Sequence, residues 1–90
     1  MLITKPTAAF KRDLQRIASR GWSGSSLSTP LILLQNSRPL PPQYRDHPLK
    51  GQWAGCREFH VTPDWLVIYR ITDDFLVLFR TGTRADLFKK

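Results

Sequence analysis

Phe10, Leu14, Ile17 and Ala18 recur at spacings of three and four. That rhythm is the apolar stripe of an amphipathic helix beginning at Ala8. Thr7 stands in front of it as an N-cap and Gly21 closes it. Lys11, Arg12, Arg16 and Arg20 take the other positions and read as a solvated face. Ahead of the helix, Leu2-Ile3-Thr4 predicts a short opening strand stopped by Pro6. Behind it, the Gly/Ser-rich stretch Ser23–Ser28 connects to a second helix over roughly Leu27–Gln35. Pro30 is tolerable there only within the first turn. Asn36 through Pro42 holds three prolines, so Ser37–Gln43 reads as an extended link and Tyr44–His47 as the start of a sheet.

The C-terminal half changes period. Trp53–Val61 predicts a strand broken at Gly55, and Thr62-Pro63-Asp64 is turn chemistry. Trp65–Ile71 and Phe75–Arg80 are runs of β-branched, aliphatic and aromatic residues, hence strands. Few polar residues interrupt either run, which predicts central strands covered on both faces. Thr72-Asp73-Asp74 and Thr81-Gly82-Thr83 read as turns, and Arg84–Phe88 as a terminal helical turn capped by Thr83. The sum is a single α+β domain over residues 1–90, two N-terminal helices on a mostly antiparallel sheet.

Charge adds a partner class. Fourteen Lys and Arg against seven Asp and Glu give a formal +7 on 90 residues. That balance points to nucleic acid, an acidic protein or a membrane surface. No apolar run approaches the ~18 residues that span a bilayer, so no membrane partner is expected. The N-terminus lacks the pattern of a signal peptide. Cys56 is the sole cysteine, which excludes an internal disulfide framework and a Cys-rich zinc site and fits the cytoplasm. A DNA-binding class is suggested by charge alone, with no helix-turn-helix signature behind it.

Candidate chemistry gathers late in the chain. His47 and His60 lie beside proline-containing turns, at strand ends or loops where functional groups are displayed. Histidine exchanges protons near neutral pH. Neither histidine sits in a metal-binding spacing, and each alone reads first as an ordinary surface or hydrogen-bonded side chain. Asp64 opens a strand, where it either shapes the turn or orients a histidine. Arg57, Arg70, Arg80 and Arg84 interleave with Phe59, Trp65, Tyr69 and Phe79, a mixture that suits RNA. Phe88 closes the terminus as an exposed ring or a staple. Cys56 falls in a predicted strand, where a buried thiol is the commoner state.

Three ordered blocks resemble the YafQ branch of the RelE-type toxins, the toxin halves of bacterial type II toxin–antitoxin pairs. They are Asp46-His47-Pro48-Leu49-Lys50-Gly51-x-Trp53, Arg57-Glu58-x-His60-Val61-x-Pro63-Asp64-Trp65-Leu66 with Tyr69, and Arg80-Thr81-Gly82-Thr83-x-Ala85-Asp86-Leu87-Phe88. The resemblance implies a microbial-ribonuclease-like fold and ribosome-dependent cleavage of mRNA. It places catalytic roles on His47, His60, Asp64 and Phe88, and a structural one on Trp65. The branch normally carries a histidine after Thr-Gly-Thr, and this chain has Arg84. Arginine does not give up its proton near neutral pH, but it stabilises charge on a phosphate.

On this reading the mRNA 2′-hydroxyl attacks the adjacent phosphate. One histidine takes the proton, the other protonates the leaving 5′-oxygen, and Asp64 orients a histidine. Arg84, with Lys50 or Arg57, neutralises developing charge, Arg80 adds to the RNA-binding surface, and Phe88 stacks on or braces a base. The substrate supplies the nucleophile, so no cofactor and no metal is expected. The expected partners are an acidic cognate antitoxin, mRNA and the ribosome, with operator DNA met only through the antitoxin. The competing expectation is a module that binds antitoxin or RNA without cutting, which Arg84 favours.

Overall fold

The computed structural model describes residues 1–88 of the chain. In chain order the elements are β1 (Ile3–Pro6), α1 (Ala8–Ser19), α2 (Ser28–Gln35), β2 (His47–Pro48), β3 (Arg57–Thr62), β4 (Trp65–Ile71), β5 (Phe75–Gly82) and α3 (Arg84–Leu87). The sheet runs β1-β5-β4-β3-β2. β1 lies parallel to β5, and every other neighbour is antiparallel. The α+β class predicted from the pattern is observed.

Local chemistry sets the ends of α1. Thr7 Oγ1 accepts from the Phe10 amide at 3.0 Å and donates to the Phe79 carbonyl at 2.9 Å, so one hydroxyl caps the helix and ties it to β5. Gly21, at φ 81°, takes the left-handed turn just beyond the helix. Phe10 and Ile17 are buried as expected. Ala18, placed on the same stripe by its spacing, is exposed. Asp13 instead occupies an inward position and is 1% exposed.

The two faces of the sheet bury different clusters. Phe59, Trp65, Val67, Tyr69, Leu76 and Leu78 pack with Phe10, Ile17, Leu27 and Leu34 of the helical layer. Leu66 and Ile68 point the other way, with Cys56 and Leu87. All of Trp65–Tyr69 is buried, so β4 is covered on both faces, as its uninterrupted apolar run predicts. Burial of each large side chain contributes roughly 1.5–3 kcal/mol. Trp65 is structural: it is 3% exposed, and its indole N–H donates to Thr81 Oγ1 at 2.8 Å.

Four boundaries differ from expectation. The opening strand is not stopped by Pro6 but runs through it, with Pro6 opposite Leu78 on the sheet edge. Tyr44 ends a 3-10 turn over Pro42–Tyr44, and the sheet resumes only at His47, because Arg45 turns the chain through φ 49°. The strand expected from Trp53 begins at Arg57, because Gly51–Trp53 is another 3-10 turn and Gly55 sits at φ 91°. Thr81 and Gly82, expected to turn, extend β5 opposite Val67 and Leu66. Gly82 is at φ 150°, and a Cβ there would lie 2.9 Å from Asp86 Oδ2. Glycine therefore lets α3 fold back against the strand end.

Candidate active site

Strand alternation builds the site. Glu58 and His60 are two residues apart on β3 and share one face. Pairing of β2 with β3 sets His47 directly opposite Glu58. Ile68 and Leu66 are the β4 partners of Glu58 and His60, so this is the face turned away from the helical layer. Thr83 starts α3 with a reciprocal capping box: its hydroxyl accepts from the Asp86 amide, and Asp86 accepts from the Thr83 amide. That turn brings Arg84 and Phe88 to the rim of the same face.

Glu58 is the centre of the group and is fully buried. Its Oε2 accepts from Arg84 NH2 at 2.8 Å, and His47 Nε2 lies 2.8 Å from the same oxygen. His60 Nε2 lies 3.7 Å from the same oxygen, too far for a hydrogen bond. Glu58 Oε1 and His60 Nδ1 are buried with no hydrogen-bond partner among the described residues. The two imidazoles stand 6.2 Å apart, centre to centre. His47 Nδ1 also lies 3.1 Å from the Pro48 carbonyl. The Arg84 guanidinium lies over the Phe88 ring at 5.1 Å, which gives Phe88 a bracing role within the chain.

The structure thus brings together His47, His60, Arg84 and Phe88 of the expected set. Asp64 stands apart. It is exposed at the β3–β4 turn, on a cleft shared with Trp22, Ser23 and Trp65, and makes no hydrogen bond to either histidine. The carboxylate at the histidines is Glu58, not Asp64. Lys50 is exposed just after β2. Arg57 is half-exposed and donates through Nε to Asp46 at 3.2 Å. Arg80 is tied inward: Nε and NH2 both bind the buried Asp13 carboxylate, at 2.7 and 3.1 Å. Its guanidinium locks α1 to β5 rather than standing free for RNA. Arg16 and Arg20, read as part of a solvated face, also have partners: Arg16 binds Asp13, and Arg20 binds Asp86 at 2.7 Å. Arg20 holds the Asp86 carboxyl well below the usual carboxylate range; partial burial opposes this and the Thr83 amide reinforces it.

Glu58 carries no role in the sequence reading, although the Glu58-x-His60 spacing puts both on one face of any strand. Asp13 gives a fainter signal, an acid on an inward helix position. His47, Glu58 and His60 offer one ligand atom each, all within 4.8 Å of one another. Imidazole and carboxylate donors suit a transition ion, but Arg84 already occupies the Glu58 oxygen facing His47.

Three comparisons bear on this arrangement. A family model for a bacterial toxin of a type II toxin–antitoxin system, YafQ, matches residues 2–89. The mRNA interferase toxin YafQ of Escherichia coli K12 is 54% identical over 57 residues, which are 63% of this chain and 62% of that protein's length. The chain is thus matched to less than two thirds of that relative. A copper-bound mutant toxin from Helicobacter pylori superposes with TM-score 0.94 at 36% identity, over 98% of this chain and 100% of that one. YafQ in the E. coli DinJ-YafQ toxin–antitoxin complex superposes with TM-score 0.88 at 40% identity, over 97% of each chain.

Proposed function

The chain belongs to the YafQ family of type II toxins, and from that premise we propose that it is a ribosome-dependent mRNA endoribonuclease held in check by an antitoxin. The observation that carries the proposal is the pair of histidines flanking one buried carboxylate, with an arginine on the same oxygen. A general acid, a general base and a fixed cation are what transesterification of a phosphodiester needs.

In this reaction the 2′-hydroxyl attacks the adjacent phosphorus, the bond to the 5′-oxygen breaks, and a 2′,3′-cyclic phosphate forms. His60 takes the 2′-hydroxyl proton, since its ring is 14% exposed and no hydrogen bond holds Nδ1 or ties Nε2 to Glu58. His47, with Nε2 2.8 Å from Glu58 Oε2, gives a proton to the leaving oxygen. Glu58 holds His47 and Arg84 in place and offsets their charge. Arg84 faces the non-bridging phosphate oxygens with whichever nitrogens Glu58 does not engage. Lys50 extends the cationic surface for the RNA backbone, whereas Arg57 shares the opposite face of β3 and pairs with Asp46. Cleavage calls for no metal. A bound transition ion would be held by His47, Glu58 and His60 and would supply Lewis-acid neutralisation of phosphate charge.

The partner at rest is an acidic antitoxin that covers this basic chain, and operator DNA is met only through it. A related toxin has been seen with its antitoxin in the DinJ-YafQ complex. A second reading rests on Arg84 itself. Docked on Glu58 and stacked over Phe88, it supplies no proton, which suits a module that binds without cutting. Primer extension on translated mRNA separates the two. New 5′ ends that require active ribosomes support the enzyme, and their absence at equal expression supports binding alone.

A further inference from the structure

His47 sits on a weakly held piece of chain. β2 is two residues long. Arg45, two residues earlier, is in the left-handed region, and the next backbone tie is the Leu49 amide to the Cys56 carbonyl at 2.9 Å. Between them stands Asp46. Its Oδ1 accepts from the Tyr69 hydroxyl at 2.6 Å and from Arg57 Nε at 3.2 Å. Tyr69 is 1% exposed, and its ring packs 5.8 Å from Phe59 on the helical side of the sheet. Tyr69 pairs with Arg57 across β4 and β3, and Arg57 pairs with Pro48 across β3 and β2. One row of residues across three strands therefore ends beside His47, on the face opposite Glu58.

We propose that Tyr69 is a positioning residue: through Asp46, its hydroxyl holds His47 in hydrogen-bond reach of Glu58 for proton transfer. This rests on the function proposed above. The ring alone accounts for the packing, so the hydroxyl is the part left to explain. A buried hydroxyl that reaches out of a core to a loop carboxylate is costly unless that bond is made. Burial first, and the hydrogen bond to Asp46 second, push the phenol well above its ordinary range, which keeps it the donor in that bond. A 2.6 Å bond to a carboxylate is also of the short, strong kind. Asp46 cannot rotate away while it holds, and His47 is the next residue.

The test uses Tyr69→Phe and, as a second variant that does not touch the core, Asp46→Ala. Each full-length chain is assayed on translating ribosomes. Both are expected to keep the fold by circular dichroism and to lower kcat by about 10- to 100-fold with KM unchanged. Each loss should vanish in a His47→Ala background, because the clamp acts only through that ring. Parental kcat in both variants, or losses that multiply with that of His47→Ala, overturns the proposal. If the parent itself does not cut, the functional reading fails and the clamp is judged by NMR of the histidine rings. Displaced His47 resonances with unmoved His60 resonances in Tyr69→Phe support it, and unmoved His47 resonances overturn it.

Discussion

Arg84 donates to Glu58 Oε2 at 2.8 Å, across an exposure contrast of 59% for the arginine side chain and 0% for the carboxylate. An exposed cation is thereby tied to a fully buried carboxylate. Glu58→Gln keeps the volume but removes the charge that holds Arg84 and His47. Cleavage should fall about 100-fold or more, with a melting temperature near that of the parent. Single-turnover cleavage and thermal unfolding of the same sample check both halves.

Asp13 and Arg80 form the internal counterpart of that pair. The Asp13 carboxylate accepts from Arg80, Arg16 and the Thr81 amide, and only 1% of the residue is exposed. Asp13→Ala leaves Arg80 and a buried amide without their acceptor and should cost about 3 kcal/mol or more in chemical unfolding. Lys50→Ala should leave stability unchanged and weaken RNA binding, with a shallower salt dependence. Of the three basic residues expected from the sequence to bind RNA, Lys50, Arg57 and Arg80, the first acts at the surface and the last in the fold, and these assays separate them.

Asp86 gives the fold a pH dependence of known sign. Its carboxyl is depressed in the folded state by Arg20 first, with Thr83 adding to it. The unfolded chain therefore binds a proton at higher pH than the folded one. The stabilisation is fully present above the ordinary carboxylate value near ~4 and is lost as pH falls below it. Melting temperatures between pH 2.5 and 6 should fall more steeply for the parent than for Asp86→Asn. High salt should narrow that difference.

The strands, the helices and the capping Thr7 and Thr83 follow from period and turn chemistry, which act locally. The site is legible only in part, because it is assembled across strands. His47 and Glu58 are eleven positions apart and meet only through the β2–β3 register. Glu58 reads as an ordinary strand polar residue until the neighbouring apolar floor of Leu66 and Ile68 is known. Asp64 shows the converse. The family resemblance places it beside His60, but the irregular register between His60 and Thr62 and the turn at Pro63 leave it in a different cleft.

In the proposed reaction the substrate's own hydroxyl is the nucleophile, so removal of transition metals should not slow cleavage. A chelator selective for transition ions, which spares the magnesium that ribosomes need, should leave the rate within about twofold of the control. A large loss that zinc or copper restores would assign the His47–Glu58–His60 group to metal chemistry instead.

The central claim is that His60 and Arg84 act together on an RNA phosphate. Its most direct test is growth after induction of His60→Ala and Arg84→Ala at expression equal to the parent, with cleavage mapped on translated mRNA. The parent is expected to arrest growth and leave new 5′ ends, and both variants to do neither. Arrest and cleavage at parental levels in both variants would contradict the claim.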